Sequence, residues 1–201
     1  MSRLGIVTGM PREAALLPGI DALVRCMGPG PAHARAATEA LLAAGAETLV
    51  SFGVAGALDA RLKSGDLVVA TMAIAEDGTR YLAEIRQFGI RGAILSRAAP
   101  VATIAEKKRL FDATGAIAVD METADIAAVA AAAGRPFIAV RAICDTADRD
   151  VPRAAIAAMQ ADGHANLFAI LAQPGDWWSL IGLARDYSRA RAALRGVGRL
   201  L

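Results

Sequence analysis

Apolar residues along this chain fall into short β-rich runs separated by Ala-rich stretches with helical character. Leu4–Thr8, Ala22–Met27, Thr48–Phe52 and Leu67–Ala73 have strand length, and Ala93–Leu95 is a shorter run of the same kind. Arg12–Leu17, Ala32–Ala44 and Glu106–Thr114 read as helices, with Pro11 suited to a first helical position and Gly115 to a stop. The pattern is clearest from Ala116 to Asp148. There the run Ala116–Val119 leads through an acidic turn into an Ala-rich helix, Thr123 to Ala133, closed by Gly134 and Pro136. A second β-rich run, Phe137–Ile143, then ends at Cys144-Asp145. Such a strand–helix–strand unit belongs to a parallel sheet. It puts Glu122 and Asp145 just past the carboxyl ends of strands, where open α/β sheets bind ligands. Glu76-Asp77-Gly78 and Asp162-Gly163 read as turns, and helical runs follow Pro152 and cover Asn166–Leu171. Asp176 suits an N-cap for a last helix, Trp177 to Leu201, with Trp177, Leu180, Ile181, Ala184, Tyr187 and Leu194 on one stripe.

A chain of 201 residues fits one domain with a sizeable core. The expected class is α/β: a single-domain, three-layer α/β/α arrangement around a central, largely parallel mixed sheet. That domain covers 1–201, with 176–201 as a C-terminal helical segment. Hydrophobic residues make up 55%, but the excess is mostly Ala. No apolar run reaches the roughly 20 residues that span a bilayer. The opening MSRLGIVTGM has one Arg and no apolar core or cleavage site, so a signal peptide is not expected. A net charge of +2 is too weak to suggest nucleic acid. Cys26 and Cys144 have no metal or redox spacing, so reduced thiols in a cytoplasmic protein are expected. No acid or His cluster has metal spacing, and no metal or cofactor is expected.

Val119-Asp120-Met121-Glu122 before an Ala-rich helix, followed by Arg141-Ala142-Ile143-Cys144-Asp145, resembles the purine nucleoside phosphorylase / methylthioadenosine nucleosidase superfamily. The resemblance implies that family's fold, a ribose site at Met121 and Glu122, and a purine contact at Asp145. Met10-Pro11-Arg12-Glu13 is similar to the Met-x-x-Glu of its nucleosidases, whose Glu activates the attacking water. Read from the residues alone, Glu13 and Glu122 are acids favoured by helix N-termini, and Asp145 is a turn Asp. Gly53-Val54-Ala55-Gly56-Ala57, with Gly65-Asp66-Leu67-Val68 after it, resembles the family's Gly-x-Ala-Gly and Gly-Asp-Leu-Val signature. It implies a base-site loop at Val54, Ala55 and Gly56, where small residues let the backbone approach a ligand. Gly28-Pro29-Gly30-Pro31 enters a helix and can cradle an anion on free N–H groups, so Gly28 and Gly30 form an anion-site candidate with Arg12. His33 and Arg35 read as solvated surface.

Ser51 and Val54 stand where the phosphorylases often carry a phosphate-binding Arg and Ser. That favours hydrolysis through Glu13, while Arg12 keeps phosphate open as a co-substrate. Pro100 and Val101 replace the aromatic that stacks on the base in many relatives, which implies an apolar ceiling. The region from Ala75 to Lys107 is shorter than in typical nucleosidases and implies an open 5′ side. The run Cys144 to Arg149 and the Arg-rich end resemble the hopanoid-associated branch.

The implied reaction cleaves the glycosidic bond of an adenine nucleoside by an oxocarbenium-like route. Asp145 is the expected donor to purine N7, a role that needs an acid whose pKa is raised by burial. Glu122 is expected to accept from the ribose 2′- and 3′-hydroxyls and to stabilise the developing cation. Glu13 takes the proton of water, and Arg141 is a structural partner of a nearby carboxylate. The substrate is small, as methylthioadenosine or adenosylhomocysteine, or lipid-linked, as adenosylhopane, which is preferred. A nucleoside-binding module without turnover is the reading from another class. From Gly175 to Leu201 the charge is +3, beside a Trp pair, which is what an interfacial helix offers anionic lipid. A helix docked on the sheet with solvated arginines is the simpler reading. The expected partners are the nucleoside, further copies of the chain in a homo-oligomer, and the inner membrane face through 177–201.

Overall fold

The computed structural model describes residues 3–152, 155–156 and 177–200. Eight strands form one sheet: β1 (Leu4–Thr8), β2 (Ala22–Cys26), β3 (Thr48–Ala57), β4 (Leu67–Ile74), β5 (Arg80–Leu82), β6 (Ile90–Ser96), β7 (Ala118–Asp120) and β8 (Phe137–Asp145). The helices are α1 (Pro11–Ala14), α2 (Pro31–Ala43), α3 (Ile104–Thr114), α4 (Thr123–Ala132) and α5 (Trp177–Leu194), with a 3₁₀ turn over Val197–Leu200. The strand order is β2-β1-β3-β7-β6-β4-β5, and β8 pairs with both β3 and β4. Strands β3, β8, β4, β6 and β7 therefore pair in a closed ring, from which β1 and β2 extend. Five pairings are parallel and three, β3–β7, β4–β5 and β4–β8, are antiparallel.

Ring closure corrects one expectation. β7 runs antiparallel to β3, and β8 runs parallel to it, so β7 and β8 point in opposite directions. The segment from Ala116 to Asp148 is not a parallel crossover. Its local pattern specified the elements, but closing the ring chose their partners.

The sheet lies between helices on both sides. Neighbouring residues of a strand point to opposite faces. Val7, Leu49 and Ala139 pack with Ala34, Ala37 and Leu41 of α2 and Ile126, Ala127 and Ala130 of α4. Ile6, Val50, Ile138 and Val140 pack with Ala190 and Leu194 of α5 and with Val197. Small residues set the close approach on the first face. A Cβ at Gly5 would stand 2.6 Å from Ala46 Cβ and 3.2 Å from Leu41 Cβ. A smaller cluster under α3 joins Leu58, Ile74, Leu95, Val101, Leu110 and Val119.

Other differences have local causes. β3 runs on to Ala57 instead of stopping at Phe52, because Gly53 to Gly56 pair with β8 and the end of β3 exchanges β1 for β7. Helix α1 stops at Ala14, and Leu16 and Leu17 turn into the core. The unread strand β5 hairpins onto β4 across the expected Glu76-Asp77-Gly78 turn. Helix α3 begins at Ile104, capped by Thr103 Oγ1 accepting from Glu106 N–H at 3.2 Å, and ends on Gly115 in the left-handed region. Helix α5 follows the expected stripe only in part. Leu194 is buried and Tyr187 half-buried as expected, but Ile181 and Ala184 are exposed, while Asp186 and Ala190 are buried. Buried Asp186 accepts from Arg149 and Arg189 at 3.1 and 3.2 Å. The expected elements between Ala157 and Asp176, and the side chains of Trp177, Trp178 and Leu180, lie outside the described residues. Among the described residues no helix is long and apolar enough to cross a membrane.

Leu41 is fully buried between α2 and the sheet. Leu41→Ala is expected to cost about 2–5 kcal/mol of stability. Urea unfolding should show a lower midpoint at unchanged slope.

Candidate active site

The site grows from Arg141, a β8 side chain 2% exposed. A buried guanidinium needs acceptors at every edge. Its Nη2 lies 2.6 Å from Asp120 Oδ2 and its Nε donates to the same oxygen at 2.7 Å. Nη2 also donates to Ser51 Oγ at 2.7 Å and Thr123 Oγ1 at 3.1 Å. Asp120 ends β7 and further accepts from Ser96 Oγ at 2.6 Å, from the Thr123 N–H at 3.2 Å and from the Thr123 hydroxyl. Glu122 Oε2 stands 3.8 Å from Arg141. Arg141 is thus the carboxylate partner that the sequence reading expects, and Ser51, at the departed phosphate position, is occupied by it.

Glu13 and Glu122 are both buried beside this guanidinium. Glu13 follows β1 in the first turn of α1. Its Oε1 accepts from Val54 N–H and its Oε2 from Met10 N–H, each at 3.0 Å. Burial pushes its pKa up, against the lowering pull of Arg141 and the backbone donors. Glu122 Oε1 accepts from Gly30 N–H at 3.1 Å. Burial raises its pKa to about 7, Arg141 opposes, and Asp120 and Glu13 add to the rise. Burial lowers the Arg141 pKa, but Asp120, Glu122 and Glu13 outweigh it, so the guanidinium stays charged. Two glycines make room for the acids. A Cβ at Gly53 would meet Arg141 Nη1 at 2.5 Å and Glu13 Oε1 at 2.7 Å. One at Gly9 would meet Glu122 Oε2 at 2.8 Å.

Asp145 closes the other end. Registers run Ala55–Ile143 and then Gly56–Asp145, so Cys144 is an extra residue in β8. This bulge sets Asp145 opposite Gly56, where an added Cβ would stand 2.8 Å from Asp145 Oδ1. Gly53 and Gly56 are three residues apart on one strand, roughly 10 Å. Asp145 is not the isolated buried acid that the sequence suggests: Lys107 Nζ lies 2.7 Å from Asp145 Oδ2. Burial and the Asp145 charge push the Cys144 thiol well up, which leaves it inert.

The remaining candidates are placed as follows. Met10, Val54 and Met121 are half-buried beside the acids, and Ala55 is buried in β3. Gly28 and Gly30 have φ of 103° and 104°, but the Gly30 N–H is given to Glu122, so the loop cradles the protein's own carboxylate. Arg12 is exposed on α1. His33 and Arg35 are exposed, the latter 3.4 Å from Asp125. Pro100 is half-buried, while Val101 belongs to the core cluster under α3 rather than to an open ceiling. The Ala102 carbonyl and the Ile104 N–H tie this segment to Val151 and Asp150, beyond Asp145. A cleft of about 600 Å³ opens beside that loop, between Leu58–Arg61, α3 and Ala147-Asp148, and contains none of the candidate acids. Sequence reasoning gave no role to Asp120, Lys107 and Gly9, and it named Gly53 only as part of the small-residue loop. Asp120 sat inside the quoted motif; Lys107 was hidden in a charged run that reads as surface.

A family model described as the phosphorylase superfamily matches residues 17–91 and 89–173. The fold is similar to that of a *Helicobacter pylori* MTAN mutant with 5′-methylthioadenosine in the active site, at TM-score 0.71 and 20% identity over 100% of both chains. S-adenosylhomocysteine nucleosidase from *Streptococcus pyogenes* matches at TM-score 0.70 and 21% identity, over 100% of this chain and 98% of that one. Futalosine hydrolase of *Helicobacter pylori* matches at 0.67 and 21%, with the same coverage. No curated protein sequence matches the chain.

Glu122 links pH to stability. Its pKa is about 7 in the fold against 4.5 for the unperturbed group, so the folded state holds more protons between those values. Stability is then lost as pH rises from about 4.5 to 7, by roughly 3 kcal/mol for such a shift. Glu122→Gln should flatten the fall in melting temperature between pH 5 and pH 8. An unchanged slope would show that Glu122 carries no such penalty.

Proposed function

The chain belongs to the phosphorylase superfamily, and we propose that it is an enzyme that hydrolyses the N-glycosidic bond of an adenine nucleoside. Asp145 gives a proton to purine N7 as the bond to the ribose breaks and its electron pair leaves with the base. Glu122 accepts from the ribose hydroxyls and its charge faces the oxocarbenium-like sugar. Glu13 takes a proton from the water that adds to the sugar. A general base works best with a pKa near the working pH, and the raised pKa of Glu13 supports that role. The similar folds named for methylthioadenosine and adenosylhomocysteine support an adenine nucleoside, and the one named for futalosine supports a purine nucleoside more broadly.

One observation carries hydrolysis over phosphorolysis. The Val54 and Met10 N–H groups, which would seat an incoming anion, already hold the Glu13 carboxylate. A phosphate there would face Glu13 and Glu122 at once, with Arg141 already committed to Asp120. Water meets no such repulsion. Wild-type protein should release adenine from at least one of methylthioadenosine, adenosylhomocysteine and adenosylhopane without phosphate. Glu13→Gln should lower that rate about 10²-fold or more. A ribosyl 1-phosphate product formed only with phosphate would overturn hydrolysis, and no release from any of the three would overturn the enzyme reading.

For the 5′ substituent the preferred candidate is the hopane of adenosylhopane, from the branch resemblance of Cys144 to Arg149 and the Arg-rich end. Such a substrate is insoluble and must be fetched from a membrane. The outer side of α5 supports this, since Ile181, Arg185, Arg189 and Arg195 are exposed there. Arg189 is partly held by Asp186, which leaves Arg185 and Arg195 as the better candidates for lipid headgroups. Co-sedimentation with phosphatidylglycerol vesicles at low salt should weaken when both become Ser, with adenine release from methylthioadenosine unchanged. Intact protein that stays off the vesicles would end the membrane reading.

A further inference from the structure

Lys107 is fully buried, which is rare for a lysine unless its charge is partnered. It lies in the first turn of α3, in sequence a charged stretch with no visible link to the site. Its ammonium has three N–H donors, and three acceptors surround it. They are Asp145 Oδ2 at 2.7 Å, the Thr146 carbonyl at 2.8 Å and the Arg149 carbonyl at 2.8 Å. The same end of α3 grips the following residues, through Ile104 N–H to Asp150 Oδ1 at 2.7 Å and Val151 N–H to the Ala102 carbonyl at 2.8 Å. Asp145 is thus held from one side by a rigid cation. Both oxygens lie near Gly56, but among the described residues the other one, Oδ1, receives only the weak Cys144 thiol at 3.7 Å.

We propose that Lys107 is a positioning residue for leaving-group protonation: it holds Asp145 by Oδ2 and leaves Oδ1 to meet the purine. This rests on the nucleoside-cleaving reading above. In the step, Oδ1 takes a proton from solvent, that proton passes to N7, and the glycosidic electron pair goes to N9. Asp145 is left as a carboxylate 2.7 Å from the ammonium, which balances the new charge without water having to reorganise. Lys107 never touches the substrate. Its effect reaches the reaction only where a leaving group needs a proton.

Two substrates separate this role from simple support of the loop. One is the best adenine nucleoside of the panel; the other is 4-nitrophenyl β-D-riboside, whose phenolate departs without protonation. Lys107→Met removes the charge, and Lys107→Gln keeps N–H donors for the two carbonyls and so guards the fold, with circular dichroism as the check. Adenine release should fall about 10-fold or more in kcat, on the scale of general acid effects, and nitrophenolate release should change less than about threefold. In an Asp145→Asn background Lys107→Gln should add almost no further loss, because residues acting through one group are not additive. Equal losses on both substrates, or losses that multiply in the double variant, would overturn the proposal. Wild-type protein that releases no adenine would instead remove the reading beneath it.

Discussion

One buried guanidinium conditions the rest of this structure. Arg141 cannot be left unpaired inside the sheet, and Asp120 neutralises it at 2.6 Å. That pair alone is electrically closed. Glu13 and Glu122 are then two more buried acids around a cation already spent on a third. Burial is what raises both pKa values, against the pull of Arg141, and at Glu122 the charges of Asp120 and Glu13 add to the rise. The ion pair that ties β7 to β8 also stands beside both of these acids. Its neighbours are tied to the same point: Ser51, Thr123 and Ser96 spend their hydroxyls on Arg141 or Asp120. A fold that needed only stability would do as well with apolar residues there.

The second constraint is the path of β3. This ten-residue strand starts beside β1 and ends beside β7, with β8 along nearly its whole length. It pairs with β8, which carries Asp145, and its Val54 N–H holds Glu13. Gly53 leaves space for Glu13 and Arg141, and Gly56 leaves space for Asp145. A larger residue at either position would push an acid out of place. The place of Asp145 opposite Gly56 is set by one bulge at Cys144.

The two ends of the site are also held by different cations. Arg141 is shared among several carboxylates and belongs to the sheet. Lys107 comes from α3 and takes only Asp145 among the acids, with two carbonyls of the following loop. The charges around Asp145 and those around Glu13 and Glu122 are thus set by different cations.

Local chemistry was readable in the sequence. Strands β1, β2 and β4, helices α2 and α4, and the Gly115 stop follow from periodicity and from glycine and proline placement, which depend only on near neighbours. Glu13, Glu122 and Asp145 were legible as acids at the ends of strands because their motifs are short and contiguous. Other features needed partners far along the chain. The reversal of β7 against β8 comes from ring closure, which no window of residues reports. Glycine 30 looked free to bind an anion, and only the fold brings Glu122, ninety-two residues later, to its N–H. Helix α5 looked like an apolar stripe, but the fold leaves Ile181 and Ala184 exposed and buries Asp186, whose carboxylate is met by Arg149, far back in the chain, and Arg189. Lys107 reads as surface until α3 lays it against Asp145. The sequence by itself determined which residues carry charge and which segments are helix or strand, because those are properties of side chains and short-range backbone. Only the tertiary structure decided which charges meet, because burial and pairing depend on distances that the chain closes across its whole length.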